Sequence, residues 1–444
     1  MPNTHLTRTV SSGGNRQKWT LSLWIKFDRV KTGSLNIFSS NKAADGDYST
    51  LYLDASRLTY YDYDGGTVNR LRTSRLFRDL NAWYHIVVRY DSTHGTANNR
   101  IRFYVNGSEA TDIIDRLNPS QNYNSFVNAN TYKVFFGAQD GDNDGTGDRF
   151  GGSMSHIHLL DGEDRDASYF GETDATTGEW KIKTNPTGIN YGTNGFFILK
   201  DGNSVTDQSG QSNNLTVGYG TLTKTEDNPS NVFATGNPID NGADKNPVFS
   251  NGNNSYSVGS GVWRYAISTL GMTKGKFYME QKIGSSGNHF AGVTDQYDNL
   301  LLTQTYAGST SLSVGYYNNG NRYIGDNATS YGNSYTSGDI IGVAIDIDNG
   351  KIYFSKNGTW QNSGVPTSGS TGTGAIDLPT STNSYGTWFF VPSVNNSTSD
   401  VNYGNGYFGT TAVSSAGTNA SNNGIFEYDV PAGYTALSTK GLNL

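Results

Sequence analysis

The chain has 444 residues, 34% of them hydrophobic, and a formal net charge of −7. The acidic balance excludes the basic footprint of a nucleic-acid surface. The absence of cysteine excludes disulfides, thiolate metal sites and a thiol nucleophile. The 55 glycines and 29 tyrosines, on a lean apolar content, point to all-β structure with many turns and aromatic strands. The length suits two β-sandwiches of about 200 residues each. No window approaches the roughly 18 apolar residues of a membrane span, so no membrane insertion is expected.

Trp19–Phe27 alternates. Trp19, Leu21, Leu23, Ile25 and Phe27 share one face, and Thr20, Ser22, Trp24 and Lys26 the other. Short strands are predicted near Leu35–Ser39, Thr50–Leu53 and Leu58–Tyr63. Trp83–Asp91 and Arg100–Gly107 read as paired strands, the second ending in Asn106-Gly107. Tyr132–Gly137 and Ser153–Leu160 are strands separated by an acidic, glycine-rich loop. Asp166–Gly171 reads as one helical turn, started by Asp and stopped by Gly. Gly195–Leu199 returns to the first sandwich. Residues 201–245 are rich in Asn, Gly, Ser and Thr, with Pro229 and Pro238, and read as a surface-hugging linker.

From Asn246 a second sandwich is predicted, with strands at Gly275–Ile283, His289–Val293 and Trp388–Val394. Its centre is the stretch Gly338–Gly358. Ile341, Val343, Ile345 and Ile347 fall on one face, and Gly342, Ala344, Asp346 and Asp348 on a more polar one. Asn349-Gly350 predicts a two-residue type I′ turn, because both residues accept positive φ. Asn357-Gly358 ends the returning strand. A lone hairpin cannot bury its apolar face, so a second sheet must cover it. The fold class is all-β: two tandem antiparallel β-sandwiches at 1–200 and 246–444, joined by a linker at 201–245.

These residues resemble known families. Trp19–Phe27, the Trp83–Gly107 hairpin, Gly152–Gly162 and Tyr169–Glu172 are similar to a laminin-G-like, concanavalin A-like jelly-roll sandwich found in virion proteins of tailed phages, marine ones especially. Phe170-Gly171-Glu172 followed by Gly178-Glu179-Trp180 is the most specific part. Gly275–Ile283, His289–Val293, the Gly338–Gly358 hairpin and Trp388–Val394 resemble a SPRY domain. Val430–Leu437 is similar to the end of the same phage proteins. The resemblance implies a virion location, on tail or head, and several copies or a homo-oligomer per particle. It implies other virion proteins as partners and host cell-surface polysaccharide as a ligand. A connector that binds only other virion proteins is the alternative. Met1–Arg8 lacks the apolar core of a signal peptide, so synthesis in the host cytoplasm is expected. No heptad or shaft repeat makes the chain an elongated fibre.

Three clusters are candidate sites. Asp140, Asp142 and Asp144, then Gly145, open like an EF-hand loop, with Asp148 as a further ligand and calcium as the expected cation. The loop's twelfth position is Gly151 instead of a bidentate acid, and a solvated acidic turn is the alternative. Tyr60, Tyr61 and Tyr63, with Asp62 and Asp64, form a candidate sugar platform, and Tyr48, Tyr52 and Tyr191 are its candidate extension. The alternative is ordinary strand tyrosine, half core and half rim. His156 and His158, two apart on one face of a strand, are a candidate metal pair, but no third ligand is readable nearby, and the expected reading is an exposed strand face.

An enzyme is not expected. Glycoside hydrolysis needs two flanking carboxylates. Glu172-Thr173-Asp174-Ala175-Thr176-Thr177 is the nearest approach and lacks a final glutamate. No nucleophile elbow or phosphate-cradling loop is present.

Overall fold

The computed structural model describes residues 4–42, 46–139, 149–183, 186–200, 204–239, 247–259, 261–285, 287–295, 306–382 and 384–443. Its structure divides into two compact units, Met1–Lys224 and Thr225–Leu444. Among the described residues, regular structure is almost entirely strand.

In the first unit an eight-stranded sheet runs Ile113–Leu117, Thr67–Thr73, Arg57–Asp64, Tyr48–Asp54, Ser34–Asn41, Lys133–Phe136, His5–Thr9, Thr216–Tyr219. A six-stranded sheet runs Phe196–Ile198, Gly152–Asp161, Lys18–Phe27, Tyr84–Asp91, Ile101–Val105, Ser108–Glu109. Their facing sides form one core. Trp19, Leu21, Leu23, Ile25 and Phe27 meet Leu51, Leu53, Leu58, Tyr60 and Phe136 there. Each such side chain, fully buried, contributes about 1.5–3 kcal/mol of transfer free energy.

The other face of the six-stranded sheet is also covered. Val87, Tyr104 and Leu160 pack under Ala167 and Phe170. That segment is a single 3-10 turn, Ala167–Tyr169, whose Asp166 carboxylate accepts the Ser168 N–H. At Asn106-Gly107 both residues have positive φ, 47° and 84°, and Val105 pairs with Ser108. This is the tight turn that fits strand twist.

The stretch 201–245 does not stand apart over its described residues. Thr216–Tyr219 pairs with His5–Thr9, and Leu215 joins the first core. Phe233 and Ala234 are buried in the second unit. The polar side chains of this stretch satisfy backbone groups, and the division between the two units falls inside it. The Asp207 carboxylate accepts N–H groups of Phe197, Ser209 and Asn213, and Asn213 Nδ2 donates to the carbonyls of Thr193 and Gly195. Side chains here take the place of strand partners.

In the second unit a nine-stranded sheet has the path Val248–Ser250, Ser255–Val258, Ser397–Asn402, Lys276–Ile283, Ile340–Asp346, Lys351–Lys356, Thr359–Trp360. Ile376–Asp377 and Thr435–Ala436 join it off that path. The second, seven-stranded sheet has the path Arg264–Tyr265, Ser393–Asn395, Asn288–Thr294, Ser313–Tyr317, Asn321–Ile324, Asn327–Ser330, with Phe389–Phe390 beside it. Phe277, Met279, Ile341, Val343, Ile345 and Phe354 pack against Ala291, Val293, Val314, Tyr316 and Val394.

The central hairpin departs from expectation twice. Its turn is not the two-residue Asn349-Gly350. Asp346 pairs with Lys351 across the four residues 347–350, and of these Gly350 alone has positive φ, 64°. The cause is the buried Asp346 carboxylate, which accepts Asn349 N–H and Nδ2–H at 3.1 and 2.8 Å and meets Lys276 Nζ at 2.9 Å. The type I′ geometry falls at Asn357-Gly358, with φ of 48° and 77° between Lys356 and Thr359. The second departure is the supposedly polar face. It is buried, because Tyr278, Ala344 and Tyr353 lie under Phe426, Val430, Tyr434 and Ala436.

Candidate functional site

Alternation divides the predicted tyrosine platform in two. Leu58, Tyr60 and Asp62 take the core side of the strand, and Tyr61 and Tyr63 the other side, where they are half-buried. Tyr60 and Asp62 are both 0% exposed and reach no ligand from solvent. This corrects their assignment as ligand residues. Asp62 instead accepts hydrogen bonds from Tyr60 OH at 2.7 Å and from Ser49 Oγ. Burial pushes its carboxyl up to about 7, against the pull of the Ser49, Tyr60 and Asn69 side chains.

The outward half survives as a cluster. Tyr48 lies opposite Tyr63 in the ladder. Its ring stacks on Tyr63 at 5.8 Å and 29°, and on Tyr61 at 6.0 Å and 28°. All three rings are half-buried. Tyr52 shares their strand face, and burial, then the Asp54 charge, pushes its phenol up to about 12. Two ion pairs flank the rings: Arg72 to Asp54 at 2.7 Å and Arg70 to Asp115 at 2.6 Å. Half-exposed pairs of this kind add little stability. Ladder pairing sets Arg70 opposite Tyr61 and Arg72 opposite Thr59, so planar donors and acceptors lie on the strand next to the rings, which suits a sugar's apolar face and its hydroxyls.

Tyr191 does not extend this cluster. Its hydroxyl lies 2.8 Å from His158 Nδ1 on the outer side of the six-stranded sheet. There His158 stacks on Phe197 at 3.8 Å. A bulge separates the two histidines, with His156 at φ 47° and the register shifting between Ser155 and His158. Their neighbour His85 is fully buried. It accepts Trp180 Nε1–H at 3.0 Å and lies 2.9 Å from Ser22 Oγ. Burial first, then the His156 charge, pushes its imidazole down to about 3. The three rings sit in an apolar, aromatic setting. Among the described residues, no group of three or more His, Cys, Asp or Glu is placed to hold a metal.

Asp140, Asp142, Asp144 and Asp148 lie outside the described residues. Glu172 and Asp174 belong to the hairpin Gly171–Thr173/Trp180–Ile182. Asp174 caps the hairpin's own turn, accepting the N–H groups of Thr176 and Thr177, and pairs with Lys181. Sequence reasoning missed Arg70, Arg72, Asp54 and Asp115, since only strand pairing brings them together. It also missed an aromatic face in the second unit, whose rings come from residues 263, 306, 317 and 323.

Residues 3–167 match the family described as the concanavalin A-like lectin/glucanases superfamily, and residues 247–375 match the SPRY domain. The chain therefore carries a concanavalin A-like domain and a SPRY domain. It is 32% identical to ATP-dependent RNA helicase Ddx1 of Drosophila melanogaster over 104 residues, 23% of this chain and 13% of that protein. It is equally identical to DDX1 of Xenopus laevis over 96 residues, 22% of this chain and 12% of that protein. The chain spans about an eighth of the length of these relatives. Similar solved structures include mouse laminin alpha1 chain domains LG4-5, at TM-score 0.29 and 11% identity, covering 87% of this chain and 78% of that one. A human SPRY domain matches at TM-score 0.26 and 22% identity, covering 33% and 90%. A SAP-like pentraxin of Limulus polyphemus matches at 0.27 and 17%, covering 36% and 71%.

Proposed function

We propose that this chain, which joins a concanavalin A-like domain to a SPRY domain, is a multicopy binding protein of a bacteriophage particle. Its first domain attaches weakly to host cell-surface polysaccharide, and the particle location is tail or head. The observation that carries the ligand reading is the stacked Tyr48–Tyr61–Tyr63 set on the outward side of its sheet. Ring faces held by their neighbours bind a sugar with little ordering cost. The virion context rests on the phage-like residues around Tyr169–Glu172 and Val430–Leu437.

Weak sites suffice in this setting. Several copies on one particle raise avidity by roughly 100- to 10,000-fold without new contacts. The chain binds and does not cleave, and other virion proteins are its assembly partners. Calcium held by Asp140, Asp142, Asp144 and Asp148 belongs to the same proposal.

The test is the purified chain displayed densely on beads over an array of bacterial surface polysaccharides, with new reducing ends assayed alongside. Retention on at least one polysaccharide without cleavage supports the reading. No retention anywhere favours a connector that binds only other virion proteins, and cleavage replaces the reading with an enzyme.

A further inference from the structure

We propose that the second unit carries a separate binding site for a neutral saccharide, on the outward face of its seven-stranded sheet. Trp263, Tyr306, Tyr317 and Tyr323 form it. The site goes beyond the reading above, because it uses no residue of the first unit.

Phe290 is the floor of this face, at 2% exposure. Tyr306 stacks on it at 4.5 Å and 4°, and Tyr317 at 4.6 Å and 24°. Tyr323 stands edge-on to all three rings, at 5.2, 6.2 and 5.7 Å. Trp263 closes the other side, 4.9 Å from Tyr306 and 5.2 Å from Phe290. These four outer rings are half-buried.

The face is built by register and by two glycines. Phe290 and Tyr317 are direct ladder partners, as are Gly315 and Tyr323. Ala307 lies on Gly292 and Gly315. A Cβ on Gly315 would stand 2.0 Å from the Ala307 carbonyl oxygen, and one on Gly292 would stand 2.5 Å from Ala307 Cβ. The absence of both side chains lets the segment carrying Tyr306 lie flat on the sheet.

The hydroxyls select the ligand. Tyr306 OH donates to Asp326 Oδ1 and Tyr317 OH to Asn288 Oδ1, each at 2.7 Å. A phenol has one hydrogen, so with it committed the oxygen can only accept. A ligand here must bring an apolar face and its own donors. A proline-rich segment has the apolar rings but no N–H at proline. A pyranose has both: C–H groups on one face and hydroxyls around it. The Asp326 carboxylate at the rim opposes an anionic sugar, which leaves a neutral one.

Affinity electrophoresis of the full chain tests this. The gels contain laminarin, amylopectin, galactomannan or dextran, and decaproline is the competitor. All runs use the double variant Tyr61→Ala/Tyr63→Ala, which removes both ring partners of Tyr48 in the first unit's candidate site, so the result does not rest on that site. The expected result is retardation by at least one of the four polysaccharides. Trp263→Ala and the double variant Tyr306→Phe/Tyr317→Phe should each weaken it by roughly fivefold or more, about the effect of one lost hydrogen bond or ring contact. If Trp263→Ala melts early, the double phenylalanine variant decides alone, since it keeps every ring. Retardation by none of the four overturns the proposal. So does retardation that the substitutions leave unchanged, or competition by decaproline.

Discussion

Glu280 Oε1 accepts the backbone N–H of Tyr428 at 2.9 Å, although the two residues lie 148 apart in the chain. Its other oxygen accepts Glu427 N–H at 2.9 Å. Tyr278 OH and Asn402 Nδ2 complete the shell at 3.2 and 3.3 Å. One fully buried carboxylate thus fastens the C-terminal segment over Tyr278, Ala344 and Tyr353. Burial pushes this carboxyl up to about 7, against those same hydrogen bonds.

Glu280→Gln should therefore be destabilising despite its shape. An amide turns an NH2 toward groups that are themselves donors, leaving a buried N–H unpaired at a cost of about 1–3 kcal/mol. Urea unfolding at pH 8 measures it, and the transition to follow is that of the second unit. A midpoint equal to that of the parent chain would show that the latch carries no load.

The first unit should respond to pH through Asp62. Its folded value of about 7 lies above the ordinary 3.8. The folded state therefore holds the proton that the unfolded chain has lost. The resulting stabilisation is fully present below about pH 4 and is lost as pH rises toward 7. His85 acts in the opposite sense, since its value is lowered, and its contribution is lost as pH falls below the imidazole's ordinary 6.5. Comparison with Asp62→Asn isolates the carboxyl. The variant should gain on the parent by a few kcal/mol between pH 4 and pH 8. Parallel stability curves would place the charge in solvent.

Calcium should raise the melting temperature of the first unit, and magnesium should do less, because magnesium demands a tight octahedron. Asp142→Asn should blunt the response without unfolding the chain. A melting curve indifferent to millimolar calcium and to chelator leaves that loop a solvated turn.

Brief trypsin treatment should cut after Lys224, an exposed residue at the boundary of the two units. Two resistant fragments are expected. A first cut at Lys351 or Lys356 would contradict the burial of the hairpin between two packed layers.

Much of the fold was legible because strand period is two. Trp19–Phe27 and Ile341–Ile345 announce their inner faces outright. What covers their outer faces was not legible, since Phe426 and Tyr434 act on Ala344 from far along the chain. The same limit governed the candidate site. Four adjacent residues, Tyr60 to Tyr63, cannot share one side of a strand, and period alone assigns Tyr61 and Tyr63 together. Arg70 and Asp115 meet only through pairing of their strands. The aromatic face around Phe290 left no periodic signal, because its rings come from separate chain segments.

The outward tyrosines of the first unit should hold a sugar while their inward neighbours do not. Bead-displayed chain should be retained by a host polysaccharide. Tyr61→Ala and Tyr63→Ala should each cut that retention by roughly tenfold, about the contribution of one stacked ring, and Tyr60→Phe should leave it unchanged. Retention that persists through both alanine substitutions, or falls with Tyr60→Phe alone, would contradict it.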